Sequence, residues 1–232
     1  MRFSLIIPCF NEGENIPLLI KRLKEVFKDN KYEVILVNNG SNDNTQEIIE
    51  KSTEGLENFK VVKILENIGY GNGIIKGLEI ARGDILGWTH ADLQTDPGDS
   101  LKALSYFNSK NDRKLVKGLR RGRSFSDKFF TFNMTIFELF LLGKYMVDIN
   151  AQPSIFHREL FDSWRNPPDD FSLDLFLYYT ALKSNYKIFR FPVHFPKRIH
   201  GTSKWNFSLK SKIKFIKRTI TFSIQLKKRL NK

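Results

Sequence analysis

Apolar residues fall in short runs at 3–7, 34–37, 61–65 and 85–88, rich in Ile, Leu and Val and bounded by polar turns. Such runs predict buried strands. Between them, roughly 15–28, 43–52 and 72–82 place apolar residues at helical spacing. Strands alternating with helices of this length predict βαβ units and a mostly parallel sheet, so an α/β fold. Three turns follow the strands: Asn11-Glu12-Gly13, Asn38-Asn39-Gly40-Ser41 and Gly69-Tyr70-Gly71-Asn72-Gly73. A parallel sheet gathers such turns at the carboxyl ends of its strands, where open α/β sheets bind ligands. The second half is less regular. Strands are expected at 114–118, 153–157 and 187–193, with a Phe-rich helix near 127–142 and another helix at 171–184.

The tail carries a different pattern. Leu209, Ile213, Ile216, Ile220 and Ile224 form a helical stripe, flanked by Lys210, Lys212, Lys214, Lys217 and Arg218 and followed by Lys227, Lys228 and Arg229. A basic amphipathic helix reads as lying on a membrane or as docking on the core with one wet face. Phe129, Phe130, Phe132, Phe137 and Phe140, just after Arg120, Arg121 and Arg123, form a second apolar candidate, whose alternative is simply closing the core.

Charge sharpens this reading. The formal net charge is +13, and 15 of the 38 Lys and Arg lie in 175–232, a stretch with no Asp or Glu. The excess implies an anionic partner, or else a solubilising tail. Because the basic residues sit beside apolar ones and no nucleic-acid reading motif is present, an anionic membrane is favoured over nucleic acid. No apolar run reaches 18 residues, so no transmembrane helix is expected. The first apolar run breaks at Pro8 and reads as a strand instead of a signal peptide. Cys9 is the single cysteine, which excludes an intrachain disulfide and suits a reducing compartment. The expected location is cytoplasmic, peripheral on the cytoplasmic face of a membrane.

Three segments have the chemistry to hold a nucleoside diphosphate: the opening turn Pro8-Cys9-Phe10-Asn11-Glu12, the polar turn 38–45, and Trp88-Thr89-His90-Ala91-Asp92-Leu93-Gln94. The turn at 38–45 by itself reads first as an ordinary N-cap cluster and only second as a phosphate-binding turn. In the last segment the i, i+2 spacing puts His90 and Asp92 on one side of an extended chain, where they and Gln94 can meet a divalent cation that offsets diphosphate charge.

Ile6-Ile7-Pro8-Cys9-Phe10-Asn11-Glu12, the Asn-Asn-Gly-Ser-Asn-Asp turn, Asn67-Ile68-Gly69-Tyr70-Gly71-Asn72-Gly73 and His90-Ala91-Asp92-Leu93-Gln94 occur in the order seen in family 2 glycosyltransferases. Gly118-Leu119-Arg120, Asp148-Ile149-Asn150-Ala151-Gln152-Pro153 and Arg198-Ile199-His200-Gly201-Thr202-Ser203-Lys204 continue the match, so it spans about residues 3–205. The chain most resembles the dolichol- and polyprenyl-phosphate sugar synthase branch. The resemblance implies a GT-A (Rossmann-like) catalytic domain over 1–206, with 207–232 as the amphipathic C-terminal helix. It also implies inverting transfer from a nucleoside-diphosphate sugar to a polyprenyl phosphate or lipid-linked glycan. By the same resemblance Pro8, Asn11, Glu12 and Asn39 line the nucleotide pocket, Asp92 and Gln94 hold metal and diphosphate, and Arg120, Arg198, Ser203 and Lys204 face donor or acceptor phosphate.

Two departures stand out. Asn38 and Asn39 replace a pair of Asp residues, and His90 stands where the metal motif usually starts with Asp. Imidazole suits Mn²⁺ better than Mg²⁺, so Mn²⁺ is favoured if His90 is a ligand; the alternative is that it only hydrogen-bonds the donor. By the resemblance, Asp174 stands where related hydroxyl-acceptor enzymes place an acidic residue, which makes it the candidate general base, or else it is a helix residue paired with a nearby cation; a phosphate acceptor needs no base. The same departures leave open a nucleotide-sugar-binding relative with impaired catalysis.

Overall fold

The computed structural model describes residues 2–28, 31–109, 112–196, 198, 200 and 209–230, with the side chains of 209–212, 214, 215, 229 and 230 outside the description. Each predicted strand and helix is found. The first half runs β1 (Phe3–Cys9), α1 (Ile16–Val26), β2 (Tyr32–Asn39), α2 (Thr45–Thr53), β3 (Phe59–Ile64), α3 (Tyr70–Ile80) and β4 (Ile85–Trp88). The second half runs α4 (Gly98–Leu104), β5 (Lys114–Arg121), α5 (Phe125–Leu142), β6 (Ser154–His157), α6 (Arg158–Asp162), α7 (Leu173–Lys183), β7 (Lys187–His194) and α8 (Leu209–Leu230). The short helices α4 and α6 carry too few turns to leave a periodic signal.

Among the described residues seven strands form one sheet in the order β3-β2-β1-β4-β6-β5-β7. β3, β2, β1 and β4 run parallel, and β5 pairs parallel with β7. β6 is antiparallel to both β4 and β5. Two successive reversals restore direction, so β5 and β7 end at the same edge as β1 to β4, whereas β6 begins there.

The strand side chains alternate between two apolar layers. Phe3, Leu5, Ile7 and Cys9 pack with α1 residues Ile16, Leu19, Ile20 and Leu23, while Ile6, Ile35 and Val37 pack with α3 and α7. Helix α7 is buried on all sides, from Leu173 to Ala181, so it lies inside the molecule.

Helix α8 joins this second layer through Phe222 and Leu226 and packs along α5. Its docked side differs from the predicted stripe: Ile213 and Ile224 stay exposed while Phe222, Ser223 and Leu226 are buried. Helix α5 is likewise reversed in polarity. It buries Thr135, Glu138 and Leu142 and exposes Phe125, Phe129, Phe132 and Phe140.

Candidate active site

Because β1, β2, β4, β5 and β7 all end at one edge, the turns after them line one cavity of about 560 Å³. Asn11, Asn39, Asp92 and Arg198 all face it, together with Pro8, Glu12, His90, Gln94, Arg120 and Asp174. Ser203 and Lys204 lie outside the described residues.

The first wall is two turns clipped together. Asn11 takes a left-handed backbone (φ 55°), which Asn tolerates, and its Oδ1 accepts from the Asn42 amide at 2.8 Å. The Asn11 amide donates to Ser41 Oγ at 3.0 Å, and the Glu12 amide donates to Thr45 Oγ1 at 2.9 Å. The two Asn residues at the end of β2 diverge, as strand alternation requires. Asn38 turns away, donating to Gln46 Oε1 at 2.7 Å and accepting from the Ser41 amide at 3.0 Å. Asn39 turns to the cavity. Its Nδ2 donates to the Gly69 carbonyl at 2.8 Å, while its buried Oδ1 has no hydrogen-bond partner among the described residues. A buried acceptor without a donor is a position that a ligand hydroxyl or N–H can complete. Gly73 makes room for this side chain: a Cβ there would sit 2.9 Å from Asn39 Cγ.

The second wall follows β4. Asp92 Oδ2 pairs with Arg198 Nη2 at 2.9 Å, and Arg198 Nε donates to Gln94 Oε1 at 3.1 Å. Gln94 donates in turn to the Pro196 carbonyl at 2.9 Å. Residues 104 apart in sequence are thus tied across the mouth of the cavity. Burial lowers the His90 imidazole pKa, outweighing the opposing pull of Asp92 and Asp174, so the ring is neutral at neutral pH and has a lone pair to offer.

The Asp92 carboxylate and the His90 imidazole are donor types that suit Mn²⁺. Gln94 is engaged at both ends of its amide and is a weaker candidate ligand. No group of three or more His, Cys, Asp and Glu among the described residues could hold a metal unaided. The residues therefore fit an ion shared with ligand oxygens, not one held by protein alone.

The third wall is basic and aromatic. Asp148 gathers Arg120 and Arg123, with the Arg120 Nε at 2.9 Å and the Arg123 Nη1 at 3.3 Å. Burial opposes ionisation of Asp148, but Arg120 hydrogen bonds and charge hold its carboxyl below the ordinary value. Arg120 is thus fixed against Asp148 and lies 5.2 Å from the Phe195 ring centre, a more clamped cation than the sequence suggested. Tyr70 stacks on Phe171 with ring centres 4.7 Å apart, and the Arg218 guanidinium of α8 lies 5.1 Å from the Phe171 ring centre while pairing with Asp170 at 3.1 Å.

Asp174 sits in the first turn of α7, nearly inaccessible yet on the cavity wall. Its Oδ1 accepts from Gln152 Nε2 at 2.8 Å and meets Lys117 Nζ at 3.4 Å. The pairing with a cation foreseen as one alternative is present, and the carboxylate faces the cavity as well. Tyr70 and Gln152, though inside quoted motifs, and Arg218, Phe171 and Lys117 were given no site role from the sequence. For Lys117 the available signal was a Lys inside the apolar strand Leu115-Val116-Lys117-Gly118. Arg218 reads as an ordinary helix cation until α8 is docked.

Solved structures with the same fold extend these observations. Glucosyl-3-phosphoglycerate synthase from Mycobacterium tuberculosis, in complex with Mn²⁺, uridine diphosphate and phosphoglyceric acid, superposes with a TM-score of 0.76 at 15% identity, covering 97% of this chain and 78% of that one. A mannosyltransferase from Pyrobaculum calidifontis, in complex with GDP-Man and Mn²⁺, gives 0.65 at 21% identity over 85% of this chain and 58% of that one. Both are GT-A glycosyltransferases, and the seven-stranded sheet here shares their architecture. The sequence model of Glycosyl transferase family 2 matches residues 4–179, which take in Asn11, Asn39, Asp92, Arg120 and Asp174, and the chain is a member of that glycosyltransferase family.

Proposed function

We propose that this enzyme transfers a hexosyl or related sugar from a nucleoside-diphosphate sugar, with inversion, to a polyprenyl phosphate or lipid-linked glycan at a membrane surface. The observation that carries the donor half is the convergence of Asn11, Asn39, Asp92 and Arg198 on one cavity. Asn39 offers its orphaned Oδ1 to a ribose or base donor group. Arg198, now bound to Asp92, supplies a guanidinium fork suited to the donor diphosphate. A Mn²⁺ ion held by Asp92 and His90, as the Mn²⁺ complexes of the fold relatives suggest, would offset charge on the departing diphosphate. Asp174 is placed to accept a proton from an acceptor hydroxyl.

The membrane half rests on the reversed polarity of α5. Phe125 and Phe140 are 84% and 82% exposed while Glu138 on the same helix is fully buried. Water does not favour such an arrangement, but a lipid surface does. The outward stripe of α8, with Ile213 and Ile224, and the exposed Arg121, Lys128, Lys217, Lys227 and Lys228 on the same two elements and their approaches add the charge that anionic lipid attracts. No helix among the described residues is long and apolar enough to cross a membrane, and the exposed faces of α5 and α8 support a peripheral attachment.

The donor test is a thermal-shift screen of UDP-, GDP-, CDP- and dTDP-sugars with Mn²⁺, since a ligand for the folded state raises the melting temperature. One nucleotide series is expected to stabilise the protein. No shift with any series would reject the donor site, and a shift without sugar release or transfer would point to a binding-only protein. The membrane test is flotation with vesicles with and without anionic lipid. Binding that ignores lipid charge would count against the surface.

A further inference from the structure

Behind the cavity wall lies a closed polar circuit in an otherwise apolar layer. Lys117, on β5, is 0% exposed. Its Nζ makes a short hydrogen bond to Ser154 Oγ and reaches Asp174 Oδ1 at 3.4 Å. Ser154 donates to Gln152 Oε1 at 2.9 Å, and Gln152 Nε2 returns to Asp174 Oδ1 at 2.8 Å. The circuit thus joins β5, β6, the segment before β6 and α7.

A buried ammonium is costly, and replacing a buried ion pair by apolar residues is often neutral or stabilising. A fold that needed only packing here has no use for Lys117. What the circuit does is one-sided. Among the described residues both donors to Asp174 land on its Oδ1, which leaves Oδ2 to the cavity that Asp174 lines.

We propose that Lys117 is a positioning residue for the transfer reaction, holding Asp174 so that its Oδ2 serves as proton acceptor, and that the acceptor group is therefore a hydroxyl. This rests on the reading of Asp174 as the general base. The step balances without any further reactant: the acceptor oxygen bonds to the anomeric carbon, its proton passes to Asp174, and the bond from that carbon to diphosphate oxygen breaks with its electron pair leaving on the diphosphate. A phosphate acceptor would arrive already anionic, would need no base, and would gain nothing from Asp174. Among lipid-linked acceptors the circuit thus favours a glycan or other hydroxyl over a polyprenyl phosphate.

The electrostatics are consistent with this geometry. Burial pushes the Lys117 ammonium pKa down to about 8, with Arg190 adding to the depression and Asp174 and Asp148 opposing it. As pH rises through that value the ammonium loses its proton, and with it the charge that holds Oδ1.

The test has two arms on the full chain. In the first, the ¹³Cε signal of Lys117 is titrated by NMR in the wild type and in Asp174→Asn. Removing the neighbouring anion is expected to lower the Lys117 midpoint by about one pH unit or more; an unchanged midpoint overturns the pairing. In the second, UDP-glucose and GDP-mannose hydrolysis with Mn²⁺ is followed across pH, water standing in for the hydroxyl. Lys117→Met and Lys117→Gln are each expected to lower kcat by about tenfold or more with donor KM unchanged, to lose the fall in rate near the Lys117 midpoint, and to add little to the loss from Asp174→Asn. If one variant does not fold, the other and the NMR arm still decide. Wild-type turnover in Asp174→Asn would sink the base reading and this inference with it. Loss of turnover in Asp174→Asn, with normal kcat and pH profile in the Lys117 variants, would leave the base reading standing and overturn the role of Lys117. If the wild type hydrolyses no sugar nucleotide of a series that stabilises it in the thermal-shift screen, water does not reach Asp174 as a hydroxyl acceptor must, and the hydroxyl assignment is rejected.

Discussion

Glu138→Gln is expected to stabilise this protein at alkaline pH and to change little in acid. Glu138 is fully buried where α5 meets α8, accepting a hydrogen bond from Ser223 Oγ at 2.7 Å, with its second oxygen unpaired among the described residues. Burial raises its carboxyl pKa from 4.5 to about 7, partly countered by the Ser223 hydrogen bond. A carboxyl with a raised folded-state value contributes stability below about 4.5, the unfolded value, and loses it as pH climbs through about 7. The gap corresponds to about 3 kcal/mol at full ionisation, most of it developing between about pH 5 and pH 8. The amide of Gln keeps the shape and can still bond Ser223 without ionising. Urea unfolding of wild type and variant at both pH values measures the difference, read from the midpoint at constant slope. A stability gap of the same size at both pH values would show that Glu138 is ionised, or protonated, throughout, and the reasoning from burial would be wrong. The seam matters for function because the same helix α8 carries Arg218 and Thr219 into the cavity wall.

Three further outcomes follow from the site. Asp92→Asn removes the Arg198 partner and the carboxylate offered to the cation, and sugar-transfer or hydrolysis rates are expected to fall by about 10² or more; a rate within a few-fold of wild type would remove Asp92 from the centre. Gly73→Ala forces a Cβ to within 2.9 Å of Asn39 Cγ, so nucleotide affinity should weaken by about tenfold, read by thermal shift or calorimetry, with folding intact. Serine at the exposed Phe129 and Phe140 should weaken flotation with anionic vesicles while changing unfolding free energy by less than about 0.5 kcal/mol; unchanged flotation would show that the face is not the lipid contact.

The chain alone determined the alternation of strand and helix, since the buried strands and amphipathic helices write their periods directly into residue order. Parallel pairing then follows, and with it the meeting of Asn11, Asn39 and Asp92, because turns after parallel strands must share an edge. Tertiary structure alone decided three things. Antiparallel β6, between β4 and β5, has no signature in a four-residue run, yet it brings Gln152 and Ser154 beside Lys117. The Lys117–Asp174 contact joins residues 57 apart, a pairing that only the stacking of α7 on the sheet creates. The docked side of α8 was chosen not by its most regular apolar stripe but by Phe222, Ser223 and Leu226, which fit against α5. Periodicity reports which side chains avoid water; which surface takes them in is settled by the shape and polarity of the neighbouring element.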